Sequence, residues 1–182
     1  MLNKILQLVA TLSGGASFQA LQYFSMLKAS KFIGTTSGPG VIAAMLGIDT
    51  LLLNANSLTP SMPATDRCIL GIKNIRLKKL ENRECPKDKL KYLLLDWGYL
   101  VRSGILVVES LTPIEIENDL KDFESFAMRE RGNKWPFTLK HLTESIPNME
   151  IMGDVYYTER TMRNLMNILL VREPDLNYGE KK

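Results

Sequence analysis

The chain has one histidine and two cysteines, and that scarcity removes several kinds of chemistry at once. A structural zinc site draws four ligands from Cys and His, more than the chain supplies, and neither the Cys68/Cys85 spacing nor His141 shows a ligand pattern. Nucleophile–histidine catalysis would have to run through His141, which lies in Thr138-Leu139-Lys140-His141-Leu142, a stretch that reads as a short amphipathic helix. No Gly-x-Ser-x-Gly elbow is present and neither cysteine carries a flanking motif. No catalytic, cofactor or metal residue is therefore assigned, and a non-enzymatic protein is expected.

Two cysteines close one bridge at most, far from a disulfide-dense secreted scaffold, and both read as buried reduced thiols. No asparagine begins an Asn-x-Ser/Thr sequon. The most apolar stretch, 39–53, is too short to span a bilayer and carries Asp49. The N-terminus has the outline of a weak signal peptide ahead of Gly14-Gly15-Ala16, but Gln7 interrupts it, and apolar residues at 2, 5, 6, 9 and 12 fit one helical face better. An intracellular location follows, cytoplasmic or peripheral to a membrane.

Charge is the other absence, and it is local. Residues 1–65 hold only Lys4, Lys28, Lys31 and Asp49, with no Arg and no Glu. The rest of the chain carries all the other charged side chains. A solvent-facing surface normally intersperses charges for solubility, so the first third is expected to be covered, either by the rest of the domain or by another subunit or a membrane surface.

What is present describes a globular chain. The 182 residues are 45% hydrophobic and 24% charged, with a net charge of +3, enough to bury a core in one domain. Three regions stand out within it: a low-charge helical segment 1–65, a charged α+β body 66–174 and a polar tail 175–182. Helices are expected over 2–12 and 17–30, and a short one over 41–46. Residues 33–40 read as a loop and 54–65 as a proline-punctuated connector. Strands over 67–72 and 75–80 around Lys73-Asn74 suggest a hairpin. A helix from Pro86 ends at Gly104, and a strand follows at 105–109. Thr112-Pro113-Ile114-Glu115 is a capping box opening a helix to about 131, a strand falls within 149–157, and a last helix follows Thr158. The fold class is α+β, a mostly helical single domain with a few short strands, rather than a wound parallel sheet.

Three motifs bear on function. Gly34-Thr35-Thr36-Ser37-Gly38-Pro39-Gly40 resembles an anion-binding turn before a helix. It lacks the Gly-Lys-Ser/Thr ending, and Pro39 removes a donor, so it reads as a flexible loop. Glu115, Glu117, Asp119, Asp122 and Glu124 form an acidic helix start that the helix dipole explains, a solvated face. Lys73, Arg76, Lys78, Lys79, Arg83, Lys87, Lys89 and Lys91 gather into a basic patch suited to an anionic partner, nucleic acid or an anionic membrane surface.

The sequence reading is thus a structural, self-associating protein of the coat, matrix or assembly-scaffold kind, a homo-oligomer or part of a larger assembly. Leu2, Ile5, Leu6, Val9, Leu21, Phe24 and Leu27 are the expected contact residues. The alternative is a winged-helix-like nucleic-acid-binding protein acting through residues 73–108.

Overall fold

The computed structural model describes residues 18–58, 65–77, 97–129, 135–140 and 155–170. In chain order these form α1 (Phe18–Lys28), β1 (Lys31–Thr35), α2 (Gly38–Met45), β2 (Asp49–Ala55), β3 (Cys68–Ile72), β4 (Asn74–Leu77), α3 (Trp97–Arg102), β5 (Leu106–Glu109), α4 (Pro113–Met128), β6 (Tyr156–Tyr157) and α5 (Glu159–Leu170). The protein is a mixed α+β domain in which helix outweighs strand among the described residues and the strands are short.

The strands form two sheets. One has four strands in the order β1-β2-β3-β6, and the other pairs β4 with β5 antiparallel. All neighbours in the larger sheet are parallel. This corrects the expected hairpin over 67–80: both strands exist, but they belong to different sheets. β3 is buried at every position, between β2 and β6. A strand so enclosed takes partners on both sides from distant sequence, while Lys73 turns the chain out of the sheet toward β5.

β1 and β2 were not anticipated as strands. β1 contains Gly34, which weakens any strand signal. β2 runs Asp49-Thr50-Leu51-Leu52-Leu53-Asn54-Ala55, an apolar stretch without alternation, which is how a strand covered on both faces reads.

Alternation along these strands divides the core in two. Leu51, Ile69 and Tyr156 face α4, packing on Phe123 and Phe126, with Leu53 and Leu120 at the margin. Leu52, Cys68, Leu70, Ile72 and Tyr157 face the other way. They meet Ala44 of α2, Ile75 and Leu106 of the small sheet, Trp97 and Leu100 of α3, and Met162 and Leu165 of α5. Burial pushes the Cys68 thiol up to about 12, so it remains protonated as a core residue.

Helix ends follow local chemistry. The capping box forms as expected: Thr112 Oγ1 accepts the Glu115 amide N–H at 3.4 Å, and Glu115 Oε2 accepts the Thr112 amide N–H at 2.8 Å. α4 stops at Met128 rather than 131, with Arg129 extended. The guanidinium of Arg129 stacks on the Phe126 ring at 3.6 Å and donates to the Phe126 carbonyl. Gly104 ends α3 with φ of 73°, as the sequence suggested. The helix read over 2–12 and the tail 175–182 lie outside the described residues.

Truncating Phe123 to alanine removes the ring that fills the space between α4 and the sheet. Phe123→Ala is expected to lower unfolding free energy by about 3–5 kcal/mol, seen in urea melts as a lower midpoint at unchanged slope.

Candidate functional site

Parallel strands bring their carboxyl ends to one side of the molecule, where open α/β sheets take ligands. Here that side carries the turn after β1, Asn54 and Ala55 of β2, Lys73 and Asn74 after β3, and Thr158 to Thr161 after β6.

At the β3/β6 end the polar groups interlock. Asp119 of α4 is 0% exposed, and its carboxylate receives two hydrogen bonds from Arg160 of α5, Nε to Oδ1 and Nη2 to Oδ2, both 2.9 Å. The Arg160 side chain is 14% exposed. It also donates to the Ile72 carbonyl at 2.7 Å, to Asn74 Oδ1 at 3.1 Å and to Thr161 Oγ1 at 3.2 Å. Asn74 Nδ2 in turn donates to Glu115 Oε1 at 2.8 Å. Where β6 ends, Thr161 Oγ1 accepts the Ile72 amide N–H at 3.0 Å, so the first turn of α5 completes the edge of β3.

The approach of Asp119 depends on Gly71, because a Cβ there would collide with Asp119 Oδ2. This overturns the reading of 115–124 as a solvated acidic face: Glu117 and Glu124 are exposed, but Asp119 is a buried ion-pair partner. Asp122, half-buried, accepts the Glu159 amide N–H at 2.7 Å at the start of α5. Burial and the neighbouring carboxylates of Glu159 and Asp119 raise its pKa. Glu115 is held below the usual carboxylate range, chiefly by the hydrogen bond from the Thr112 backbone.

At the β1 end the loop expected over 33–40 is a tight strand-to-helix turn. Lys31–Thr35 is strand, only Thr36 and Ser37 intervene, and α2 begins at Gly38 with Pro39 in its first turn. Ser37 folds back on Thr35: its amide N–H and its hydroxyl both donate to the Thr35 carbonyl, at 2.7 and 3.3 Å. Gly40 is buried where the helix crosses the sheet. A Cβ there would lie 2.6 Å from Leu52 Cδ2 and 2.9 Å from the Thr35 carbonyl oxygen. The amide N–H groups of Gly38 and Gly40 donate to no group among the described residues. Gly38 is different again, since a Cβ would meet nothing within 4 Å. One turn thus combines two amides without an acceptor among the described residues, a helix N-terminus and open space beside Gly38, an arrangement that favours an anion.

The basic patch is only partly described. Lys73 is half-buried, and its amide N–H donates to the Ala55 carbonyl at 3.1 Å, which places it at the carboxyl end of the sheet. Arg76 lies on β4 and pairs with Glu109 across the small sheet. Lys78, Lys79, Arg83, Lys87, Lys89 and Lys91 lie outside the described residues, as do Leu2, Ile5, Leu6, Val9 and His141. Of the expected contact residues, Phe24 is 57% and Leu27 63% exposed on α1, and the Leu21 side chain is outside the described set. The described part of the low-charge third is therefore not fully covered by the rest of the domain. Met26 anchors α1 against Ala43 and Ile48, while Tyr23, Phe24 and Leu27 face solvent.

Among the described residues no group of three or more Cys, His, Asp or Glu is placed to hold a metal, and no helix is long and apolar enough to cross a membrane. No family model, curated protein or solved structure matches the chain.

Two outcomes are expected. Asp119→Ala strands a buried guanidinium and should cost about 3–5 kcal/mol of stability in chemical denaturation, well beyond the cost of removing the exposed Lys121–Glu117 pair. Glu115, with its folded-state pKa below the unfolded one, stabilises the fold above its ordinary value of 4.5 and loses that contribution as pH falls through the lowered value. Glu115→Gln should flatten the acid limb of a stability–pH profile.

Proposed function

We propose that this protein binds the diphosphate of a nucleotide at the turn between β1 and α2. The observation that carries the reading is Gly40, pressed between Leu52 and the Thr35 carbonyl at the start of α2 in a parallel β1–α2–β2 unit. In dinucleotide-binding βαβ units, glycines serve three needs: a tight turn, access of a phosphate to the backbone, and close packing of helix on strand. Gly34, Gly38 and Gly40 stand at a turn with these needs. A diphosphate bound through backbone amides requires no lysine, so the missing Gly-Lys-Ser/Thr ending counts only against a triphosphate-type loop.

The end of the next strand narrows the ligand. Many such units place an acidic residue there to hold a ribose hydroxyl. This chain has Asn54, with φ of 53°, at a bulge between β2 and β3, and its Oδ1 accepts the Leu111 amide N–H at 2.9 Å. Recognition accordingly rests on the phosphates.

Titration calorimetry with ADP, AMP and adenosine tests this, with ADP expected to bind best and adenosine not at all. Gly38→Asp adds a carboxylate at the start of α2, where a Cβ meets nothing within 4 Å, and it should abolish ADP binding without shifting the melting temperature. ADP affinity unaffected by Gly38→Asp would refute the site.

A second reading is favoured by the exposure of Tyr23, Phe24 and Leu27: a self-associating protein of structural type, whose low-charge N-terminal third supplies subunit contacts. The two readings use different surfaces and are compatible.

A further inference from the structure

We draw no further inference here: the strongest candidate, the exposed apolar face of α1 formed by Tyr23, Phe24 and Leu27, carries nothing because nothing in the structure shows what covers it.

Discussion

The ion pair between Asp119 and Arg160 joins the two halves of this fold. Asp119 belongs to the helix on one face of the sheet, and Arg160 to the helix whose apolar side packs on the other. Their contact lies at the end of β3, where Arg160 also takes the Ile72 carbonyl and Thr161 the Ile72 amide. A buried carboxylate and guanidinium are costly to remove from water, and the arrangement holds because nearly every donor and acceptor is used. Gly71 makes the approach possible by leaving its position beneath the carboxylate empty.

Close approach at glycine recurs at the opposite end of the same sheet side. Gly40 lets α2 settle onto β1 and β2, and the amides of Gly38 and Gly40 donate to no group among the described residues. Among the described residues, the β3/β6 end satisfies its polar groups internally, while the β1 end has two amides without an acceptor. That contrast separates a structural network from the turn proposed to take an anion, although both stand at the carboxyl ends of parallel strands. Buried polar clusters hold a fold when complete; unpaired backbone donors at a helix start hold an anion when one arrives.

The distribution of charge along the chain has a structural counterpart. The body is laced with ion pairs, Arg76–Glu109, Lys121–Glu117, Arg163–Glu159 and the buried Asp119–Arg160. The described N-terminal elements have only Lys31–Glu124 and Arg67–Asp49 reaching them from elsewhere, and they present Tyr23, Phe24, Leu27 and Ile33 to solvent. Exposed apolar side chains of this kind form a surface that water solvates poorly.

Much of the local structure was legible in the residues. The capping box at Thr112, the glycine stop at Gly104, the helix after Ser17 and the mixed α+β class all arise from interactions within a few residues, which a sequence carries in full. Pairing was not legible. The parallel order β1-β2-β3-β6, the divorce of β3 from β4 and the strand character of Lys31–Thr35 and Asp49–Ala55 depend on partners far away in the chain. The same holds for Asp119, which reads as one of five acids on a helix until Arg160 arrives from forty-one residues on. It holds too for Gly34–Gly40, whose glycines suit a loose loop as well as a tight βα turn. Local sequence determined where helices begin and end, because caps and propensities act over a turn or two. Only tertiary structure decided which strands are neighbours and which charge is buried, because those outcomes rest on which distant surfaces exclude water together.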